Sequence, residues 1–454
     1  MRLSSLAFAA LVIVTSVTTE AADWSRFRGP NGNAFSEEKG LPTKWSDSAE
    51  EGLVWKIGLP GAGASSPVIS GDKVFVTCFK GEQSALERIL VCASRKDGKI
   101  LWQKSVKAGK DEDRPNGMLM THGYSSSTPA VDGEGVYVLY GKSGVYGYDL
   151  EGNELWHKEV GKGSAPMGWG SACSPILYKN LVIVNAAAEG KTLVAFDKKT
   201  GKEIWKTPAD SLEGCWGTPI LVDAPGGKQE LVLSVPGEVW GFDPATGAFL
   251  WFCEGASTNA LCTSAVAKDG IIYIIGGSAG SSGNAIAIKA GGKDDVSKTH
   301  MLWSKNMGSY VTSPVVVGDH LFWVNDSGIA RCLKLKDGES VAEKRLASGA
   351  PAGGPARGAP GGAPPGGGFG GGGRGRGMGG GGGKEYYASV VAGDGKLYAV
   401  SRSKGTYVIS ADEKLDVLAT NKMDDTSVFN AGPAIQDGQI YLRSDKFLYC
   451  IGKK

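Results

Sequence analysis

One phrase recurs along this chain, and its recurrence restricts the fold more than any other feature. It consists of Ser/Thr-Pro, a short apolar run, a turn, two further apolar runs, a Gly turn, and a last apolar run ending in Trp. The clearest copy runs Ser174-Pro175-Ile176-Leu177, Leu181-Val182-Ile183-Val184, Leu193-Val194-Ala195-Phe196-Asp197 and Thr200-Gly201-Lys202-Glu203-Ile204-Trp205. The first anchor falls at Pro67, Pro129, Pro175, Pro219, Ala265, Pro314, Ser389 and Pro433. From Pro129 to Ala265 the intervals are 46, 44 and 46 residues, and from Ser389 to Pro433 the interval is again 44. A fixed period of this size marks stacked supersecondary units, none of which buries its apolar faces alone.

Within most runs apolar residues alternate with small or polar ones, the period of a strand. Asp197 to Gly201 and Asp243 to Gly247 fit tight hairpins, Asp capping the turn and Gly taking the positive φ. Four short strands per repeat predict an all-β fold, an eight-bladed β-propeller of four-stranded antiparallel blades. The eighth repeat has only three runs, ending at Leu448-Tyr449-Cys450-Ile451, while an orphan run with the missing Trp, Leu53-Val54-Trp55-Lys56-Ile57, stands near the other end. This predicts a last blade closed by an N-terminal strand, which removes an open edge. The alternative is a seven-bladed ring with Trp55 in an unrelated arm. The closing Trp recurs at Trp102, Trp156, Trp205, Trp251 and Trp303 and is missing from the sixth and seventh repeats. Its expected role is to wedge between neighbouring sheets.

The chain divides into 1–21, 22–48 and 49–454. Arg2 followed by an apolar stretch from Leu6 to Val17 and the small residues around Thr19-Glu20-Ala21 reads as a signal peptide cut after Ala21. Residues 22–48 form an N-terminal extension and 49–454 the propeller. No segment after the leader is apolar enough to span a bilayer. Residues 349–384, Gly-rich with Arg357, Arg374 and Arg376, read as a disordered loop between blades 6 and 7, a spacer or weak tether. A net charge of +2 with 21% charged residues argues against nucleic acid as a partner. The eight cysteines are scattered without a framework and read as small buried hydrophobes, with Cys78 and Cys92 the one pair a hairpin could bring face to face.

The phrases Val194-Ala195-Phe196-Asp197-Lys198-Lys199-Thr200-Gly201-Lys202-Glu203-Ile204-Trp205 and Trp240-Gly241-Phe242-Asp243-Pro244-Ala245-Thr246-Gly247-Ala248-Phe249-Leu250-Trp251 resemble the signature of the PQQ-like repeat, named after the pyrroloquinoline quinone (PQQ) enzymes. The resemblance runs from about Trp55 to Ile451. It implies the eight-bladed fold of the quinoprotein alcohol and glucose dehydrogenases, shared by the propeller subunit of the outer-membrane β-barrel assembly machinery, which binds no quinone. The opening Trp24-Ser25-Arg26-Phe27-Arg28-Gly29-Pro30 is similar to that of a subgroup of uncharacterised exported propellers. Fold does not fix function here.

The dehydrogenases of this family hold Ca²⁺ with carboxylate and amide oxygens against the quinone, and the alcohol branch adds two adjacent cysteines. This sequence has no Cys-Cys pair, and the family's Glu, Asn and Asp ligands match no positions in it. His122, His157, His300 and His320 lie in separate repeats without metal-ligand spacing and read as surface or loop residues. Asp111-Glu112-Asp113, in the long loop after the first blade, reads as a solvated acidic stretch. No catalytic residue, metal site or cofactor follows from these patterns. Trp169 and Trp216, flanked by glycines and preceding equivalent anchors in adjacent repeats, are the candidate site, a flat open platform at one mouth of the channel. The sequence therefore points to a periplasmic or secreted, monomeric, non-catalytic scaffold that binds an envelope protein or peptide. A PQQ- and Ca-dependent oxidoreductase and a carbohydrate-binding propeller, with a glycan as ligand, are the alternatives.

Overall fold

The computed structural model describes residues 23–82, 85–109, 111–256, 258, 260–278, 283–346 and 384–453. The leader 1–21 and all but Lys384 of the Gly-rich stretch 349–384 lie outside the described residues. The rest forms eight antiparallel sheets in chain order around one axis, a propeller. Val, Ile, Tyr and Phe fill the middle strands, such as Lys73–Lys80 and Ile271–Gly276, because both faces of each blade are covered by neighbours. The outer strands, such as Ile100–Lys107, alternate exposed and half-buried positions because only one face is covered.

The ring closes as the sequence predicts. Leu53–Gly58 pairs antiparallel with Phe447–Ile451, Trp55 opposite Cys450 and Ile57 opposite Leu448. The eighth blade thus takes its outermost strand from the front of the chain. The seven-bladed alternative is excluded.

The residue before each anchor fastens one blade to the next. The Ser66 N–H donates to the Thr128 hydroxyl (2.9 Å), and Thr128 N–H to Ser174 (3.0 Å). Ser174 then donates to Thr218, Thr218 to Ser264, Ser264 to Ser313 and Ser313 to Ser389, each at 2.9–3.0 Å. This chain of bonds corrects the seventh anchor: Ser389 occupies the Ser/Thr position, so the residue equivalent to proline is Val390, and the strand begins at Val391. At the eighth position stands Gly432, with no hydroxyl to offer. There Arg443, only 1% exposed, reaches from blade 8 into blade 1, donating to the carbonyl of Thr77 (2.6 Å) and to the Ser65 hydroxyl (3.1 Å).

The outer ends of the blades are joined by the tryptophans. Trp156 donates its indole N–H to the Lys198 carbonyl of the next blade (2.9 Å) and lies on Gly201, where a Cβ would come within 2.7 Å of the ring. Gly201 also has φ +66, so a side chain there is disfavoured by conformation as well as space. Trp55, Trp102, Trp205 and Trp303 repeat the arrangement on Gly98, Gly152, Gly247 and Gly338. Trp251 instead donates to the buried carboxylate of Glu230 (2.8 Å), which also accepts from Gly291 N–H.

Where the Trp is missing, the structure compensates. In blade 6 its place in the register, opposite Cys332, is held by Ala342, and the receiving position in blade 7's turn is Leu415 instead of Gly. Leu415 is fully buried at φ +51, a conformation that costs a non-Gly residue energy. In blade 7, Ala419 stands opposite Val408, and Trp45 of the N-terminal arm packs on Tyr398, ring centroids 6.3 Å apart, much as Trp55 packs on Tyr441 at 5.9 Å. The cysteines are free, and Cys78 lies opposite Ile89 while Cys92 lies opposite Phe75, so the pairing considered for them fails on register.

The exchange of Trp and Gly for Ala342 and Leu415 generates a test. Leu415→Gly alone opens a cavity and is expected to destabilise the fold by about 2 kcal/mol or more. Ala342→Trp alone overpacks against Leu415, at about 1–3 kcal/mol. The double variant rebuilds the arrangement of the other blades and should recover most of the loss in denaturant unfolding. Additive losses would show that the two positions are not coupled.

Candidate functional site

The N-terminal arm crosses the axis and plugs one end of the channel. Its backbone accepts from the inner strands: Ile69 N–H donates to the Trp24 carbonyl, Val131 N–H to Ser25 and Ala392 N–H to Ala34, each at 2.8 Å. Trp24 N–H donates to Gln436 Oε1 (3.1 Å), and Phe35–Ser36 adds a short parallel strand to blade 7. Arg28 holds the middle of the plug, donating from its two terminal nitrogens to the carbonyls of Ser264 and Pro314. Its Nε is buried without a partner, and burial lowers the guanidinium pKa to about 9.

Above the plug lies a cavity of about 90 Å³. Phe27 and Arg28 form its floor and the hydroxyl-bearing Ser66, Thr218, Ser264, Ser313 and Ser389 its wall. Trp169, Trp216, Tyr387 and Cys262 line its upper part. The roof comes from the long loop after blade 1, whose helix Gly117–His122 supplies Met118 and His122. Asn430 of blade 8 pins this helix, donating to the Thr121 carbonyl (2.7 Å) while its Oδ1 accepts from Arg402 (2.9 Å).

The structure brings Trp169 and Trp216 together, with ring centroids 4.8 Å apart and planes at 38°. They make a tilted wall rather than a level surface. Trp216 is buried and donates its indole N–H to the Gly170 carbonyl (2.8 Å), which fixes it beneath the half-buried Trp169. Tyr310 meets Trp169 edge-on at 6.0 Å. Beside them Lys384 lies 3.4 Å over the Tyr310 ring. Its Nζ is buried without a hydrogen bond, and burial lowers its pKa, opposed by Asp326.

His122 departs from the surface position expected of it. It is 3% exposed, with Nδ1 2.8 Å from the Gly123 carbonyl and 2.5 Å from the Ser126 hydroxyl, and its ring lies against Tyr387. Burial pushes its pKa down to about 4, against the upward pull of the Gly123 and Trp169 carbonyls, so it is neutral at pH 7. The acidic loop also departs from expectation. Glu112 forms a bidentate pair with Arg88 at 2.8–2.9 Å, both side chains 4% exposed, and Asp113 pairs with Lys142 (2.9 Å). These bonds strap the loop to blades 1 and 2. Burial pushes the carboxyl pKa of the nearby Glu189 up to about 7, against the pull of its own backbone amide and of Arg88.

Of the site residues the sequence singled out, Trp169 and Trp216 lie on this cavity. Arg28, His122, Tyr387 and Asn430 join them without having been singled out. The two arginines flanking Phe27 in the opening phrase were the one signal for Arg28. The other three reach the site through tertiary placement. No carboxylate lines the cavity among the described residues, and no cluster of three His, Cys, Asp or Glu side chains with metal-binding geometry occurs among them. The lining therefore does not fit a Ca²⁺–quinone pair, whose cation needs several converging hard oxygens.

The family model for the outer membrane protein assembly factor BamB matches residues 43–214 and 170–344, together more than half of the chain. No curated protein matches it in sequence. Among solved structures it is similar to BamB from Moraxella catarrhalis, with a TM-score of 0.59 and 13% identity over 88% of this chain and 97% of that one. It is similar also to a europium-containing methanol dehydrogenase (TM-score 0.53, 11% identity, 95% and 98% covered). A quinohemoprotein alcohol dehydrogenase from Pseudomonas putida HK5 gives 0.56 and 10%, with 95% and 80% covered. At these identities the structural likeness establishes the fold.

His122 gives this region a pH signature. Its folded pKa lies below the unfolded value of 6.5, so the unfolded chain binds the extra proton and stability falls as pH drops from 6.5 towards 4. Glu189 acts oppositely, its raised pKa removing stability as pH rises from 4.5 to 7. Subtracting the pH–stability curve of His122→Gln isolates the histidine. The wild type should lose up to about 3 kcal/mol more than the variant over this window. Parallel curves would show that His122 has the same pKa in the folded and unfolded chain.

Proposed function

Because this chain belongs to the family of the outer membrane protein assembly factor BamB, we propose that it is a non-catalytic propeller that binds a protein segment in the cell envelope. The observation that carries this reading is the chemistry of the cavity and its rim. Two indoles, Tyr387, Met118 and a wall of hydroxyls offer aromatic contact and hydrogen bonds, while its histidine is neutral and pinned. Such a surface suits recognition of a ligand, and its lining holds no carboxylate and no metal-binding set among the described residues. The segment docks against Trp169 and the roof helix, whose Met120 is 73% exposed. The signal peptide, periplasmic location and monomeric state belong to the same proposal. No helix among the described residues is long and apolar enough to cross a membrane.

The dehydrogenase neighbours favour a second reading, a quinoprotein oxidoreductase using PQQ and Ca²⁺. The carboxylate-free lining weighs against it. A glycan on the tryptophans is a third, and a glycan array tests it. The deciding experiment is capture from envelope extracts with wild type and Trp169→Ala, together with a dye-linked alcohol assay after adding PQQ and Ca²⁺. We expect a retained protein whose recovery falls about tenfold or more in the variant, the effect of losing an aromatic anchor, and no turnover. Turnover that depends on the quinone would refute the binding role.

A further inference from the structure

Arg26 and Arg28 stand two residues apart on the plug, equally buried at 7% and 4% exposure, yet bonded differently. Arg28 spends both terminal nitrogens on blade carbonyls. Arg26 has one hydrogen bond, from Nε to the Pro30 carbonyl at 3.0 Å, and no ion pair with any described residue. Its terminal nitrogens are left unpaired toward the groove, and a largely desolvated guanidinium gains from an anion that completes it.

Arg26 lines a groove of about 960 Å³ on the face opposite the candidate site, between the plug and blades 3 to 5. On the blade side of this groove two backbone amides receive no acceptor from the plug. On blades 1, 2 and 7 the plug accepts from the amide two residues beyond the anchor, at Ile69, Val131 and Ala392. At Ala267 the Asn33 side chain does so (2.9 Å). The equivalent amides of Leu177 and Leu221 border the groove, and the plug supplies no acceptor to either. Leu177 and Leu221 are half-buried, so apolar surface lies beside these donors. The acids bordering the groove, Asp223 and Asp269, sit on blades 4 and 5 and make no ion pair with Arg26.

We propose that this groove binds an extended acidic peptide, a carboxylate pairing with Arg26 and backbone oxygens accepting from the Leu177 and Leu221 amides. A charge-assisted bidentate bond suits the free end of the guanidinium, and its volume exceeds what a lone small anion fills. The site is separate from the tryptophan wall and does not rest on the reading given to that wall.

Fluorescence anisotropy with a labelled hexapeptide of alternating Asp and Leu, and with its Asn counterpart, tests this. Wild type should bind the Asp peptide at least about tenfold more tightly than the Asn peptide, a preference that weakens with salt. Arg26→Gln should abolish that preference, and its thermal midpoint should not fall, because an unpaired buried charge has been removed. Leu221→Asp keeps Arg26 but places a carboxylate in the groove, and should block the Asp peptide, which keeps the test open if Arg26→Gln misfolds. Equal binding of the two peptides, or an Arg26→Gln protein that melts earlier and binds unchanged, overturns the proposal by making Arg26 a strut. Glutarate binding as tightly as the peptide, and displacing it fully, would overturn the peptide as occupant in favour of a small anion.

Discussion

The ladder between Leu53–Gly58 and Phe447–Ile451 turns eight sheets into a ring. An open array of blades would leave two exposed edges and an uncovered face at each end. With the ladder in place every blade has two neighbours, and the remaining fastenings can repeat around the axis. The hydroxyl chain from Ser66 to Ser389 then fixes the inner radius, and the tryptophans resting on turn glycines fix the outer one. At the seam, where Gly432 interrupts the hydroxyl chain, Arg443 supplies the missing bonds from a different element. The repeat is thus a set of geometric demands rather than a sequence, and a demand can be met by any residue that reaches the place.

The N-terminal arm shows the same substitution. Trp45 fills the space beside Tyr398 that a strand tryptophan fills elsewhere, while Trp24, Arg28 and Ala34 take up inner-edge hydrogen bonds on several blades. In doing so the arm converts an open channel into a cavity with a floor. The helix Gly117–His122, held by Asn430 and strapped by the Arg88–Glu112 pair, gives it a roof. The candidate site is therefore built by two insertions resting on an otherwise regular wheel.

The wheel was legible because apolar periodicity and the anchor phrase are local signals repeated many times. Even the closing strand could be placed, since a blade lacking its Trp run and a Trp run lacking its blade are complementary. The single slip, one residue at Ser389, occurred where proline is replaced by Val390 and the phrase loses its marker. The site was much less legible. Trp169 and Trp216 stood out because their flanking phrases match, but their tilt follows from the Gly170 carbonyl that holds Trp216. His122 and the Asp111–Asp113 stretch were misjudged because a loop composition says nothing about what folds over it. Glu112 is buried only because Arg88, on a strand of blade 1, points up to meet it.

The plug and the closing strand have one more consequence, in time rather than space. The bond from Trp24 to Gln436 spans 412 residues of sequence, and that from Arg443 to Ser65 spans 378. Neither exists until the last blade has formed, so the search for this meeting sets a slow, late step in folding. The same bonds must break early for the wheel to come apart, because no blade can leave while its neighbours are latched. Persistence of the folded chain is then tied to how fast this seam opens, a barrier as well as a free-energy difference.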